Sequence, residues 1–215
     1  MVTQENVLQV ILVALVSYFL GSIPTAYLIV KARRNVNIFE EGSGNMGGTN
    51  VMRALGPVWG VFVALVDMAK GIVAILIARA ILPSNEPLST ALGGFVAIIG
   101  HNWSLFAWLV TGILRGGKGG ATAFGTLIVI APLQVIAGFL GVAGLILLLT
   151  RYMSLAVLIA FSVATVWVLM LIYQQLLPPE YGIYIGLMFA LIFVRFRGNI
   201  QRLLDGKERR LGDRA

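Results

Sequence analysis

Two glycine-rich polar stretches contain most of the residues that could do chemistry. The first, "EEGSGNMGGTNVMRALG" (residues 40–56), has five glycines and ends shortly after Arg53. Glycine lets several backbone N–H groups converge on one anion, and a guanidinium adds a charge-assisted fork. The stretch therefore predicts a phosphate cradle, although a flexible loop between helices would also be rich in glycine. The predicted donors are Ser43, Gly44, Asn45, Gly47, Thr49, Asn50 and Arg53.

The second stretch, "RGGKGGAT" (residues 115–122), places two Gly-Gly pairs around Lys118 just before a predicted helix. Helix N-termini attract anions, so a second phosphate site is predicted here. The stretch is not an ATP-binding P-loop, because Gly119 stands where that motif needs Ser or Thr. A lysine that contacts lipid headgroups is the alternative. The candidate residues are Arg115, Gly116, Gly117, Lys118 and Gly119.

A few further polar residues lie inside or beside apolar segments. Asp67 and Lys70 in "VDMAKG" are three residues apart, which predicts an ion pair on one helix face. Such a pair either fastens helices or lines a functional cavity, and the structural role is favoured. His101 is interpreted as a buried structural histidine rather than a general base. Ser154 fits either a helix cap or a ligand contact.

The residue inventory excludes several kinds of chemistry. The chain has no cysteine, so disulfides, zinc–thiolate sites and cysteine nucleophiles are excluded. One histidine cannot form a clustered-histidine metal site, and no metal or other cofactor is expected. The two cradles can orient phosphorylated substrates and stabilise developing negative charge. They suit a reaction whose substrates already carry phosphates and a good leaving group.

The elements that must position these residues are membrane helices. The chain has 215 residues, of which 59% are hydrophobic and 12% are charged, and its mean hydropathy is +0.92. This balance predicts an integral membrane protein with a single domain over residues 1–215. Apolar runs of spanning length cover residues 7–30, 57–79, 88–110, 154–176 and 181–196.

Residues 121–150 are too long for one span, and Pro132 is expected to break a helix there. Seven spans then result, the fourth (121–132) short and the fifth covering 133–150. With seven spans, fourteen of the sixteen Lys and Arg residues lie on one side and only Arg79 on the other. The positive-inside rule therefore predicts the N-terminus outside and the C-terminus in the cytosol.

With this topology every polar stretch faces the cytosol, so the active site is expected at the inner membrane surface. The basic stretch 199–210 is expected to lie along that surface as an amphipathic segment.

Five motifs together carry a resemblance to a known family: "GSGNMGGTNVMRALG", "DMAKG", "GGKGGATAFG", "RYMSLA" and "NIQRLLDGKE". They occur in the family's order across nearly the whole chain. The sequence resembles the bacterial acyl-phosphate:glycerol-3-phosphate acyltransferases of phospholipid synthesis. The resemblance implies a polytopic, all-α enzyme of the bacterial inner membrane with its active site facing the cytosol. Such an enzyme transfers a fatty acyl group from acyl phosphate to the sn-1 hydroxyl of glycerol 3-phosphate, giving lysophosphatidic acid and phosphate.

The resemblance also implies roles for individual residues. Ser43, Arg53 and Lys118 are the expected catalytic residues, with the two cations on phosphate charge. Substrate binding is expected from Gly44, Asn45, Gly47, Thr49, Asn50, Gly116, Gly117, Gly119, Ser154 and Asn199, and further candidates are His101, Asp67, Lys70, Arg115 and Arg197. A substrate phosphate is expected to accept the hydroxyl proton, which would explain the scarcity of protein bases.

The chain departs from the family at Phe196, where histidine is frequent, and at Arg115, where lysine is frequent. Expected partners are the two substrates, membrane lipids and an upstream enzyme that forms acyl phosphate, with no nucleic acid. The alternative function is a transporter or channel for phosphorylated small anions, which would use the same basic loops for selectivity.

Overall fold

The computed structural model describes residues 4–212, and all regular secondary structure in that range is helical, as predicted. Its helices are α1 (Gln4–Ser22), α2 (Thr25–Arg34), α3 (Gly48–Leu55), α4 (Pro57–Ile81), α5 (Glu86–Asn102), α6 (Leu105–Thr111), α7 (Gly120–Ile130), α8 (Leu133–Thr150), α9 (Met153–Tyr173) and α10 (Glu180–Leu204), with a 3₁₀ turn at Pro83–Asn85.

Six helical segments in the described range are long and apolar enough to cross a membrane: Val7–Arg34, Pro57–Ile81, Pro83–Thr111, Leu133–Thr150, Met153–Tyr173 and Glu180–Leu204. α7 is apolar but has only 11 residues. At 1.5 Å per residue it is about 16 Å long, against a hydrocarbon core of about 30 Å. A count of seven spans therefore depends on whether α7 also crosses.

The helices break once between two predicted spans and once within each of two others. The break expected at Pro132 is confirmed, because α7 ends at Ile130 and Pro132 is the N-cap of α8. The first span consists of α1 and α2, with Pro24 as the N-cap of α2. The third span also breaks, between α5 and α6, where the sequence has no proline.

The breaks in the first and third spans satisfy each other's polar groups. Ser104 Oγ donates to the carbonyl oxygen of Ser22 and accepts from the backbone N–H of Ala107, which caps α6. Ser22 Oγ in turn accepts from the N–H of Leu105 at 2.6 Å. Both serines are fully buried. Backbone groups exposed by a helix break at membrane depth need such partners, because hydrocarbon offers none.

Small residues allow the central helices to approach closely. Gly21 on α1 lies against the backbone of Ala97 on α5, and Gly125 on α7 lies against the backbone of Met68 on α4. Close packing of this kind is a main source of stability between helices in lipid. By contrast, α8 packs mainly on α9 and has few contacts with α7, which leaves space between α7 and α8.

The C-terminal prediction was wrong in one respect. Residues 199–204 do not form a separate surface segment; they are the last turns of α10, which runs without interruption from Glu180 to Leu204. The following residues, 207–211, form a strap that returns to the turn between α8 and α9. There the N–H of Leu211 donates to the carbonyl oxygen of Arg151.

Candidate active site

Both glycine-rich stretches line one cavity of about 650 Å³. The cavity has a polar end formed by the two loops, α4, α5, the end of α10 and the strap. Its polar and charged lining residues include Ser43, Asn45, Thr49, Asn50, Arg53, Asp67, His101, Lys118, Asn199, Arg202, Glu208 and Arg209. The glycines Gly47 and Gly119 also line it.

The first loop is held in shape by Asn50, whose side chain is buried. Its Oδ1 accepts from the N–H of Ser43 at 2.9 Å, and its Nδ2 donates to the carbonyl oxygen of Glu41 at 3.0 Å. The loop also turns through Gly44, whose φ of +58° is in the left-handed region that favours glycine. The stretch is thus an ordered cradle, and Asn50 orders it from within.

The second half of the first stretch is helical rather than a loop. α3 begins at Gly48 after the N-cap Gly47, and no side chain caps it. The N–H of Asn50 donates to the carbonyl oxygen of Gly47. The N–H groups of Gly48 and Thr49 at the helix start have no helical acceptor to bond, so they favour an anion there. Arg53 lies in the same helix and lines the same cavity. One short helix thus presents both N–H donors and a guanidinium.

The second loop packs directly against His101. The N–H of Gly117 donates to the backbone carbonyl oxygen of His101, and the N–H of Gly116 donates to the backbone carbonyl oxygen of Asn102, both at 3.0 Å. A Cβ atom at Gly117 would collide with the His101 ring, and one at Gly116 with its carbonyl oxygen. These two glycines therefore serve close packing and do not line the cavity.

Arg195 also holds the second loop, and the sequence analysis missed it. Its guanidinium donates to the carbonyl oxygen of Gly117 at 2.7 Å and stacks over Trp103, with 5.0 Å between the guanidinium carbon and the ring centroid. In the sequence, Arg195 is only one of several positive charges near the end of the last predicted span. Its neighbour Phe196 faces the cavity, whereas Arg197 and Arg115 are exposed and do not line it.

Lys118 projects from the second loop towards α10. Its Nζ donates to Asn199 Oδ1 and lies 5.1 Å from the centroid of the Phe196 ring. Burial lowers the pKa of Lys118 to about 8; the charge of Arg202 adds to the lowering, and that of Glu208 opposes it. Lys118 is still mostly protonated at neutral pH and can bind a phosphate.

Glu208 on the strap is the second residue that the sequence analysis missed. Its carboxylate accepts from Ser154 Oγ at 2.9 Å, Asn199 Nδ2 at 2.6 Å and Arg202 Nε at 2.8 Å. Ser154 itself does not line the cavity. The motif "DGKE" carried part of the family resemblance, but sequence spacing gave no sign of where its glutamate would lie.

The predicted ion pair between Asp67 and Lys70 is present and buried, with 2.9 Å between Lys70 Nζ and Asp67 Oδ1. Lys70 also donates to the carbonyl oxygen of Ile23 beside the break in the first span. His101 Nδ1 lies 3.7 Å from the same Asp67 oxygen. Asp67 and His101 line the cavity and Lys70 does not.

The other end of the cavity is apolar and lies between α7, α8 and α9. Aromatic rings form part of its wall: Phe139 stacks on Phe124 and packs edge-on against Phe161, with ring centroids 4.6 and 4.8 Å apart. On α8 the lining continues through Leu140, Ala143, Gly144 and Leu147. A molecule with a charged head and a hydrocarbon tail matches this division of the cavity.

Comparison with known proteins agrees with this geometry. The model of the glycerol-3-phosphate acyltransferase family matches residues 11–206. The chain is 42% identical over 211 residues to the glycerol-3-phosphate acyltransferase of Desulforudis audaxviator, covering 97% of this chain and 99% of the relative. It is 41% identical over 206 residues to the enzyme of that name from Thermus thermophilus, with 94% of each chain covered.

The fold also matches crystal structures of PlsY (YgiH), an integral membrane glycerol 3-phosphate acyltransferase. For its glycerol 3-phosphate form the TM-score is 0.81 at 35% identity, covering 94% of this chain and 96% of that chain. For its lysophosphatidic acid form the TM-score is 0.79, covering 94% and 95%. This likeness and the six long apolar helices describe a multi-pass membrane protein. The chain belongs to the glycerol-3-phosphate acyltransferase family.

Proposed function

We propose that this protein transfers a fatty acyl group from acyl phosphate to the sn-1 hydroxyl of glycerol 3-phosphate, producing lysophosphatidic acid and phosphate. The observation that carries the proposal is a cavity that has a cationic, donor-rich end and an apolar end. Both substrates and the lipid product place a phosphate at the first end. The acyl chain of the donor and of the product fits the second. The names of the two PlsY forms, with glycerol 3-phosphate and lysophosphatidic acid, agree with these ligands.

Two anion sites are available for the two phosphates. The first turn of α3 with Ser43 and Arg53 makes one, and Lys118, which is held by Asn199, makes the other together with Arg202. Both lie in a partly buried cavity, where charge-assisted hydrogen bonds are stronger than in water. Holding two phosphorylated substrates there turns their encounter into a reaction between fixed neighbours.

The chemistry needs little from protein bases. The sn-1 oxygen attacks the acyl carbonyl carbon, the carbon–oxygen bond to phosphate breaks, and phosphate leaves with the bonding electrons. An oxygen of the departing phosphate takes the hydroxyl proton, so inorganic phosphate is released in a protonated form. Ser43 and nearby N–H groups stabilise charge on the acyl phosphate, and Arg53 and Lys118 stabilise charge on the phosphates. His101, the single histidine of the chain, helps to pack the second loop in this mechanism.

We place α7 as a short fourth span among seven, with the N-terminus outside and the C-terminus in the cytosol. Lys118 before α7 and Met153 after α8 line the same cavity. Lys118 and Ser154, which follows Met153, both contact the Asn199–Glu208 pair at the polar end of that cavity, so the segment between them begins and ends on the same side of the membrane. α8 alone crosses once, so α7 has to provide the other crossing. Because α7 is short, the second loop sits deeper than an ordinary surface loop.

The proposed setting is the bacterial inner membrane, with the cavity open to the cytosol and the protein acting as one domain. Most of the lysines and arginines fall on the cavity side in this topology, as the positive-inside rule requires. Membrane lipids surround the helices and receive the product. An enzyme that forms acyl phosphate must act before this one, since acyl phosphate is the donor.

The test uses the purified full-length protein in detergent with glycerol 3-phosphate and palmitoyl phosphate, without added divalent metal. Release of phosphate together with formation of lysophosphatidic acid is the expected result. Lys118→Ala should lose this activity, whereas Lys31→Ala, which removes the same charge from an exposed position, should keep it. No turnover, combined with uptake of glycerol 3-phosphate into vesicles that contain the protein, would reject acyl transfer in favour of transport.

A further inference from the structure

The C-terminal strap brings a second carboxylate, besides that of Asp67, into a cavity whose cations and N–H donors suit anions. α10 ends in a tight turn at Gly206, whose φ is +66°. The N–H of Gly206 donates to the carbonyl oxygen of Leu203, and the N–H of Lys207 donates to that of Arg202. This pair of bonds is the Schellman pattern, which reverses the chain at a helix end. The reversal directs Glu208 towards the polar end of the cavity.

Both ends of the strap are fastened, so Glu208 is held in place. Leu211 exchanges two hydrogen bonds with Arg151: its N–H donates to the backbone carbonyl oxygen at 2.6 Å, and its own carbonyl oxygen accepts from the guanidinium at 2.7 Å. Between these anchors the Glu208 side chain is only 6% exposed. Burying a carboxylate costs free energy unless it is hydrogen-bonded. Three donors, from Ser154, Asn199 and Arg202, satisfy it.

The contact with Asn199 has a consequence for Lys118. A primary amide has donors on one side and an acceptor on the other. With its Nδ2 held by Glu208, Asn199 must turn its Oδ1 the opposite way, where it accepts from Lys118 Nζ. A reversed amide would present N–H groups to an ammonium group, which is repulsive. The carboxylate thus determines which way the amide faces, and the amide determines where the lysine lies.

We infer that Glu208 is a positioning residue for the transfer reaction: through Asn199 it places the Lys118 ammonium group, and directly it places the Arg202 guanidinium. The phosphate site is then complete only while the strap is docked. Glu208 has a second effect, on charge. Lys118 also faces the positive charges of Arg53, Arg195 and Arg202, which favour its loss of a proton, and Glu208 opposes them. This assignment rests on the proposed acyl transfer.

The test compares Glu208→Gln with the wild type in the phosphate-release assay. Glutamine keeps the size of the side chain, but it loses the charge and cannot accept from all three donors. We expect kcat/KM for glycerol 3-phosphate to fall roughly tenfold to a hundredfold, as for loss of a buried hydrogen-bonding partner. We also expect the decline of kcat/KM at alkaline pH to begin at a lower pH. Lys207→Ala, an exposed change in the same strap, should leave both unchanged.

The outcomes separate the two proposals. If the wild type has no transferase activity, the proposed function fails. If the wild type is active and Glu208→Gln matches it in kcat/KM, or loses rate with the same alkaline decline, the positioning role is wrong. Should Glu208→Gln not fold, Gly206→Ala decides, because it keeps every cavity side chain and strains only the turn. If Gly206→Ala has a lower kcat/KM and its alkaline decline begins at a lower pH than in the wild type, the positioning role is supported. If Gly206→Ala behaves like the wild type, the positioning role is overturned.

Discussion

Raising the pH from 7 to 9 is expected to weaken binding of the phosphorylated substrate that contacts Lys118. The pKa of about 8 means that about nine-tenths of the lysine is charged at pH 7 and about one-tenth at pH 9. A phosphate monoester has its second pKa near 6, so the substrate itself does not titrate in this window. If binding needs the ammonium form, kcat/KM should fall about tenfold over these two pH units.

The assay measures initial rates with each substrate varied in turn while the other is saturating. The substrate whose kcat/KM falls is the one that Lys118 binds. The decline in kcat should be weaker and begin at a higher pH, because kcat reports the bound state and a bound phosphate dianion raises the pKa of the lysine. Uncatalysed hydrolysis of acyl phosphate is subtracted at each pH with a sample that lacks enzyme.

Two variants control this experiment. Lys118→Arg keeps its charge throughout the window, so its kcat/KM should have no decline near pH 8 even if its absolute value is lower. Lys118→Ala should be lower by about a hundredfold or more at pH 7, with a flat profile. A wild-type profile that is flat to pH 9 for both substrates would refute the reasoning. So would a decline that persists unchanged in Lys118→Arg.

Three further predictions concern other parts of the cavity, and circular dichroism of each purified variant checks the fold. Arg53→Ala should reduce kcat/KM by about a hundredfold or more, since it removes a charge aimed at a phosphate, and a near-normal rate would contradict that role. His101→Ala should lose less activity than Lys118→Ala, and complete loss in a folded variant would instead make His101 the general base. Gly144→Leu should fold, because a Cβ at this position meets open space, and its side chain should narrow the apolar end of the cavity. The rate with palmitoyl phosphate should therefore fall more than the rate with a short acyl phosphate. The matched control is Gly141→Leu, because Gly141 also has open space but does not line the cavity.

The two polar loops could be predicted from the sequence because the residues that bind an anion lie within one short stretch in each case. An anion cradle can be recognised from a short stretch that combines several glycines, neutral donors and a nearby cation, whatever the rest of the fold. Both stretches predicted in this way line the cavity. The break at Pro132 was also predictable, since proline removes an N–H and clashes with the preceding turn. The break at Ser104 was not, because a serine pair across two helices stabilises it and neither serine marks it alone.

The supporting contacts were beyond sequence reasoning because they join distant parts of the chain. Arg195 meets a carbonyl 78 residues earlier, and Glu208 meets a hydroxyl 54 residues earlier. Nothing local distinguishes Arg195 from the other positive charges near the end of the last span. The continuation of α10 to Leu204 was missed for a similar reason: the polar residues after Phe196 suggested the end of a span, although helix propensity continues through them.

The interlocked bends at Ser22 and Ser104 make the two interrupted helices mutually dependent. If either helix became straight, backbone carbonyl or N–H groups of the other would lose their hydrogen-bond partners where no water can replace them. Each bend is therefore retained because the other exists. The effects of substituting Ser22 and Ser104 on stability should therefore be far from additive. Evolution could turn these segments into continuous helices only by changing both serines together. The paired bends hold in place α2 and α6, the helices that lead into the two polar loops. Less conformational entropy is therefore lost when a ligand binds to these loops.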